Sequence, residues 1–251
     1  MRKLNKIGDE KRSVFGSLMR VVGYRNIQDI DVYFEEYDYT AKNVRYQHFK
    51  SGRIKCPYEP RVCGKGYLGE GKYSCVTDKK CYSYWVGMIS RCYNPKSIEK
   101  YPTYIGCEVC EEWLNFQNFA EWYYKNYYEI EDKTMCLDKD ILVKGNKIYS
   151  PSTCIFVPNE INLIFVKNNS KRGNLPIGVS WNKICNKYTA QCCDGYRKII
   201  LLGYFDNIDE AFSSYKQFKE KTIKKMADEY KPYIPSRLYK AMYEYEVEMD
   251  D

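Results

Sequence analysis

The sequence predicts an α+β protein made of several small modules, and three patterns indicate this fold class. Strand-forming segments are concentrated in two stretches, near residues 18–34 and 177–203. Between them, apolar side chains recur every three to four residues, which is typical of one-sided helices. Glycine and proline cluster in residues 58–81, as expected for a loop-rich connector. With 44% hydrophobic residues, the chain has enough apolar side chains to build packed cores.

The first module, residues 1–57, is predicted to be small and rich in β structure. Residues 18–24 and 30–34 have strand composition, and the polar sequence between them favours a turn. Residues 44–49 suit either a short helix or a strand. The connector 58–81 follows this module.

The central module, residues 82–168, is predicted to begin with two helices and to continue as strand, turn, strand and helix. Trp85, Met88, Ile89 and Cys92 recur at helical spacing over 82–93, and a similar stripe covers 111–128. Residues 137–142 and 153–157 then have strand character on either side of a turn at 144–147. Pro158 ends the second strand, and 159–166 is predicted to be helical.

The third module, residues 173–231, has a different pattern. Three short strands are predicted at 177–181, 188–192 and 198–203, followed by one helix at 207–227. Asn207 and Glu210 have the spacing of a helix-capping box. Residues 232–251 are predicted to form a last helix near 236–246 and an acidic tail, interpreted as a solvated helix end or a frayed terminus.

Charge is distributed unevenly along the chain. Residues 163–231 carry 13 basic and seven acidic side chains, whereas residues 61–162 carry 13 of each. Residues 1–60 are basic as well, with 12 basic and eight acidic side chains, and two basic flanks around a neutral middle favour an anionic partner held at both ends, such as nucleic acid, although the net charge of +7 is also compatible with ordinary solubility. His48 is the only histidine, which argues against multi-histidine zinc centres and makes a serine–histidine–aspartate triad hard to assemble.

Twelve cysteines raise the question of disulfides or metal. No secretory signal accompanies them, and only Cys107 and Cys110 have metal-ligand spacing. Because no second pair completes a zinc site, reduced thiols are favoured over structural zinc. No apolar run is long enough to span a membrane, so we expect a cytoplasmic protein without a membrane partner.

An ordered set of motifs in residues 82–168 resembles the HNH endonucleases of phages and mobile elements. The residues that carry the resemblance are Trp85, Met88, Arg91 and Cys92; Tyr104, Gly106, Cys107, Val109, Cys110, Glu112, Trp113, Phe116 and Phe119; Leu137-Asp138-Lys139-Asp140; Tyr149-Ser150-Pro151-Ser152-Thr153-Cys154; and Ile161-Asn162. The resemblance implies a ββα-metal finger that holds one divalent ion, Mg²⁺ or Mn²⁺, near a scissile phosphate.

This chain departs from the family at the catalytic positions. Where the resemblance implies a general-base histidine, the sequence has Lys139, and where it implies a hairpin asparagine, it has Thr153. The helix position corresponds to Asn162. Asp138, Asp140 and Asn162 are therefore the candidate metal ligands, with Lys139 and Thr153 completing the candidate catalytic set.

Residues 177–227 resemble the AP2-type DNA-binding domain that often accompanies these nucleases. The matching residues are Gly178-Val179, Lys187-Tyr188, Ala190, Leu202-Gly203, Phe205 and Glu210-Ala211. The resemblance implies a three-stranded sheet that contacts the major groove of double-stranded DNA. The candidate DNA-binding residues are Trp181, Lys183, Lys187, Tyr188, Gln191, Arg197 and Lys198.

Two functional hypotheses follow. The first is a DNA-binding protein of the mobile HNH endonuclease type that nicks or cuts DNA with a divalent metal. The second is a catalytically inactive descendant that keeps the fold for binding, either as a regulator on nucleic acid or as a phage counter-defence inhibitor of a host nucleoprotein complex. Such a phage-encoded protein would act in the cytoplasm of the host bacterium.

Overall fold

The structure is a computed structural model that describes residues 5–167, 174–196, 198–249 and 251. It is a mixed α and β fold with several sheets, as the sequence predicts. The chain forms two compact units. The first extends to Lys125 and includes Ile148–Ser150, and the second comprises Asn126–Lys147 and the residues from Pro151 onward.

The first unit begins with a four-stranded antiparallel sheet. Its strands are β1 (Glu10–Arg12), β2 (Leu18–Asn26), β3 (Asp29–Phe34) and β4 (Tyr39–Val44), hydrogen-bonded in that order. The predicted strands in β2 and β3 are confirmed. Alternate β3 side chains are buried, and the helix α1 (Tyr46–Lys50) adds Phe49 to the same core.

After a stretch of turns and loops over residues 51–78, helices form most of the rest of the first unit. They are α2 (Lys79–Tyr93), α3 (Pro95–Lys100), α4 (Glu111–Leu114) and α5 (Phe116–Asn126), and the short strand β5 (Glu108–Val109) precedes α4. The stripe predicted over 82–93 is confirmed, because Trp85, Met88, Ile89 and Cys92 are all buried.

The single helix predicted over 111–128 is wrong, since the chain breaks at Asn115. Asn115 is extended, with φ −85° and ψ 120°, and its side chain accepts a hydrogen bond from the Gln117 N–H. The Tyr67 N–H donates a hydrogen bond to Leu114 O, and Tyr67 O accepts a hydrogen bond from the Phe116 N–H, both at 2.9 Å. These bonds to a distant segment replace those of a continuous helix.

The second unit contains an antiparallel strand pair followed by a helix. Strand β6 (Met135–Asp138) pairs with β8 (Ile155–Pro158), and α6 (Asn159–Ile164) follows directly. The strand predicted at 137–142 ends earlier than expected, at Asp138. There, Asp138 Oδ1 accepts hydrogen bonds from the N–H groups of Asp140 and Ile141, and the chain turns.

The connection between β6 and β8 is also longer than the tight turn predicted at 144–147. It runs from residue 139 to residue 154. Within it, β7 (Ile148–Tyr149) pairs in parallel with β5 in the first unit, rather than continuing the hairpin.

A three-stranded antiparallel sheet backed by a long helix completes the second unit. The strands are β9 (Val179–Asn182), β10 (Lys187–Cys193) and β11 (Ile199–Phe205), with β10 in the centre. Helix α7 (Ile208–Tyr230) packs on one face of this sheet, and α8 (Ser236–Tyr243) follows. The three predicted strands and the helix are confirmed, and Asn207 caps α7 by accepting the Asp209 N–H.

The acidic tail is solvated in part, since Glu244, Glu246 and Glu248 are exposed as predicted, but its end is anchored rather than frayed. Val247 and Asp251 are buried, and Lys144 and Lys167 form ion pairs with the Asp251 carboxylate at 2.8 and 2.6 Å. Although burial opposes ionisation, these two lysines hold the pKa of Asp251 below its usual range. Among the described helices, none is both long and apolar enough to cross a membrane.

Candidate nucleic-acid interface

The sheet of β9, β10 and β11 has one face covered by α7 and one open face. Because cross-strand partners point to the same side, the register assigns each side chain to a face. The open face carries Ser180, Asn182, Lys187, Thr189, Gln191, Cys193, Ile199, Leu201 and Tyr204. Gln191 is exposed, and Ile199, Leu201 and Tyr204 are 66%, 53% and 51% exposed.

The opposite face forms the core with α7. Val179, Ala190 and Cys192 are buried there, and Tyr188 packs against the same cluster. Tyr188 contacts the ring of Trp181 edge-on, with centroids 4.9 Å apart. Of the predicted DNA-binding residues, Trp181 and Tyr188 therefore lie on the helix side of the sheet, where Trp181 stays 45% exposed at the edge strand.

A bulge sets the pattern of the open face. The register shifts between Ala190, opposite Gly203, and Gln191, opposite Leu201, so Leu202 is an extra residue that packs toward the core. Gly203 accommodates the bulge with φ +152°. As a result, Leu201 and Tyr204 share the open face although they are three residues apart.

Two turns place lysines near the two ends of the sheet. In the β9–β10 turn, Asn182 Oδ1 accepts the Ile184 N–H at 2.9 Å, and Lys183 is exposed. Before β11, Asp194 Oδ1 accepts the N–H groups of Tyr196 and Lys198 at 2.8 and 3.2 Å. Lys198 is exposed, so an exposed cation lies near each end of the sheet, although Lys198 directly precedes Ile199 of the open face and therefore starts on the helix side.

The remaining predicted cations differ in their surroundings. Lys187 lies on the open face and pairs with Asp206 at 3.0 Å, an exposed ion pair of small energetic weight. Arg197 lies outside the described residues. Gln191, by contrast, projects from the central strand with its amide exposed.

The sequence did not single out the apolar residues of this face. Ile199, Leu201 and Tyr204 belong to a strand whose apolar composition is typical of a buried core segment. Their exposure follows from the bulge and the register, which no local pattern specifies. The glycine in Leu202-Gly203 was the one local signal of a bulge.

The candidate metal residues lie at the end of β6. Lys139 is 7% exposed, and its Nζ donates to Asp140 Oδ2 and to Asn146 O, both at 3.1 Å. Asn146 Nδ2 donates in return to Lys139 O at 2.7 Å. Asp138 uses its Oδ1 to accept the two backbone N–H groups that turn the chain.

This arrangement does not fit a divalent cation. Burial and the neighbouring Asp140 raise the pKa of Asp138 to about 6, and its Oδ1 is already engaged by the two backbone N–H groups of the turn. The Lys139 ammonium occupies the space beside Asp140, where it would repel a second cation. Asp138 and Asp140 instead serve the turn and the ion pair.

The other candidate catalytic residues lie on later segments of the chain. Thr153 lies in the turn before β8, and Asn162 lies half-buried on α6 between the buried Ile161 and the exposed Leu163. In the first unit, Cys107 is buried, and Cys110 precedes α4. Within the described parts of the chain, no three His, Cys, Asp or Glu side chains group as a metal site would require.

Comparison of the chain with protein-family models, curated proteins and solved structures gave no match.

Proposed function

We propose that this protein binds double-stranded DNA through the open face of the β9–β11 sheet and does not cleave it. The observation that carries the proposal is the layout of that face. Exposed lysines lie beyond the two ends of the sheet, and an exposed amide and exposed apolar groups lie on the open face between them. In protein–DNA complexes, contacts to phosphates position the protein, and contacts to base edges in the groove specify the sequence. Cations at the periphery with an amide and apolar groups between them suit these two roles.

The size of the face supports this proposal. Strand β10 has seven residues, which corresponds to roughly 20 Å of sheet. The major groove of B-DNA is about 12 Å wide and admits a β-ribbon. Lys183 and Lys198, beyond the two ends of the sheet, would then reach the phosphates that border the groove.

The charge of the surrounding chain agrees with an anionic partner. Helix α7 carries exposed lysines on the side away from its buried stripe, namely Lys221, Lys224 and Lys225. Acidic side chains on α7 balance these lysines, but residues 163–231 as a whole carry 13 basic and seven acidic side chains, a surplus that favours encounter with a polyanion. The resemblance of residues 177–227 to AP2-type domains points to the same partner.

Cleavage is not part of the proposal because of the contacts at Lys139. The resemblance to HNH endonucleases implies a catalytic histidine there, and this chain has an ammonium held by Asp140 and Asn146. Lys139 Nζ donates both of these bonds, whereas a general base must accept a proton. We therefore favour the second hypothesis, a catalytically inactive protein that keeps the fold to bind DNA.

A binding titration with a matched control tests the interface. Fluorescence anisotropy of the full chain with a labelled duplex, repeated over a range of salt, gives the number of phosphate contacts. Lys183→Ala with Lys198→Ala should reduce the salt slope by roughly two. Lys125→Ala with Lys240→Ala removes the same charge from exposed helices elsewhere and should leave the slope unchanged.

A nicking assay tests the second half of the proposal. Supercoiled plasmid incubated with the protein and Mg²⁺ or Mn²⁺ should stay supercoiled. Metal-dependent nicking that disappears in Asp140→Ala would contradict the proposal and would assign the centre to catalysis.

A further inference from the structure

We infer that the open face of the sheet selects A·T base pairs and recognises thymine by its 5-methyl group. The inference rests on the proposed function, since it names the class of DNA that the same face binds. It comes from the chemistry of the side chains in the middle of the face, between the lysines beyond the two ends of the sheet.

The central strand supplies one group suited to a specific base. Gln191 is exposed in the middle strand, with its amide directed away from α7. A glutamine amide forms a bidentate pair with adenine, accepting from N6 and donating to N7. Guanine offers two acceptors at its major-groove edge and cannot satisfy the amide oxygen in the same way.

The strand beside it supplies apolar groups in register with that amide. Leu201 is the direct cross-strand partner of Gln191, and Ile199 and Tyr204 lie on the same face of β11. Each is more than half exposed, so together they form an apolar stripe on an otherwise polar surface. In the major groove, the thymine methyl is the one apolar group that a base pair of unmodified DNA presents.

Groups that recognise guanine are scarce on this face. Arginine and lysine are the usual bidentate partners of guanine O6 and N7. On the three described strands, the open face carries a single cation, Lys187, at the start of β10 and paired with Asp206. Among the described residues, the middle of the face therefore matches an adenine amide edge and a thymine methyl, and offers no cation to guanine.

Three duplexes distinguish this inference from simple electrostatic binding. They are a mixed A·T duplex, the same duplex with deoxyuridine in place of every thymidine, and a G·C duplex of equal length. Uridine keeps every hydrogen-bonding group and lacks only the methyl. We expect the loss of each buried methyl in the deoxyuridine duplex to weaken binding roughly fourfold. We expect the G·C duplex to bind roughly tenfold more weakly than the A·T duplex, or more weakly still.

Two variants test whether the preference for thymidine over uridine comes from the apolar stripe. Leu201→Ala should weaken binding to the thymidine duplex and bring the thymidine-to-uridine ratio close to one, with an unchanged salt slope. Leu163→Ala, the same change at an exposed leucine on α6, should leave the ratio as in the parent protein. Thermal unfolding of both variants checks that they fold.

The three possible results separate the inference from the proposal beneath it. Salt-dependent binding with equal affinity for the thymidine and uridine duplexes would overturn the inference and leave DNA binding in place. Failure to bind any of the three duplexes would overturn both, and would direct attention to a protein partner for the apolar stripe. Tighter binding of the thymidine duplex that Leu201→Ala abolishes would support both.

Discussion

Gln191 on β10 and Leu201 on β11 are direct cross-strand partners, and both side chains are exposed on the face of the sheet opposite α7. The pairing exists because the bulge at Gly203 shifts the register by one residue. The Gln191 amide, which can both donate and accept hydrogen bonds, thus lies next to the apolar Leu201 side chain in the sheet. This pair is the core of the proposed contact with DNA.

The amide of Gln191 should matter for binding and not for stability. Because the side chain is exposed, Gln191→Ala should change the free energy of unfolding by less than about 0.5 kcal/mol. Loss of a bidentate base contact should cost about 1–3 kcal/mol of binding to an A·T duplex. Anisotropy and urea unfolding measure the two quantities, and equal losses in both would contradict a role at the interface.

Gly178 should be essential for folding of the second unit. It has φ +76°, and a Cβ at this position would overlap the ring of Tyr215. Gly178→Ala should therefore destabilise the protein by roughly 2–5 kcal/mol through backbone strain and overpacking. Gly145 has the same φ, and a Cβ there would meet no described atom within 4 Å, so Gly145→Ala should cost only about 1–2 kcal/mol. Urea unfolding of the two variants measures the difference, and equal losses would contradict the role of the Tyr215 contact.

Stability should depend on pH through Asp138. Its pKa in the folded protein is raised to about 6, above the value of about 3.9 expected when unfolded. The folded state therefore holds the proton more tightly, so stability from this group is greatest below pH 4 and is lost as pH rises toward 6. Asp138→Asn keeps an acceptor for the two backbone N–H groups and should remove this dependence.

The size of that effect can be checked by urea unfolding between pH 4 and pH 7. Asp138→Asn should be more stable than the parent protein at pH 7, by about 3 kcal/mol, and nearly equal to it at pH 4. A constant difference across this range would show that Asp138 does not titrate as described.

Divalent metal should not stabilise the fold. A cation that binds only the folded state raises the melting temperature with its concentration. Because the Lys139 ammonium pairs with Asp140, we expect the same melting temperature in EDTA, Mg²⁺ and Mn²⁺. A rise that Asp140→Ala removes would contradict this account of the centre.

The elements of the fold could largely be predicted because their local patterns are strong. The strands of the C-terminal sheet and the helix beginning after Asn207 follow from composition, turns and capping. The helix break at Asn115 could not, since its cause is pairing with Tyr67, 48 residues earlier in the chain. Local helical periodicity contains no information about such a partner.

The candidate site was predictable only in part. The resemblance directed attention to Lys139, but its burial and its bonds to Asn146 depend on a long loop. Polar residues such as Gln191 and Lys198 were recognisable by type. Ile199, Leu201 and Tyr204 were not, because an apolar residue on a strand normally indicates the core, and only the register places these three in solvent.

Photo-cross-linking reports directly on whether the open face of the sheet contacts thymine in DNA. A duplex with 5-iododeoxyuridine in place of thymidine carries the reactive iodine where the methyl group would be, and it cross-links to nearby aromatic rings. Irradiation with the full chain, followed by mass spectrometry, should identify Tyr204, which is exposed on the open face. Cross-links at Tyr188 on the helix side, or at tyrosines of the first unit without Tyr204, would contradict the account.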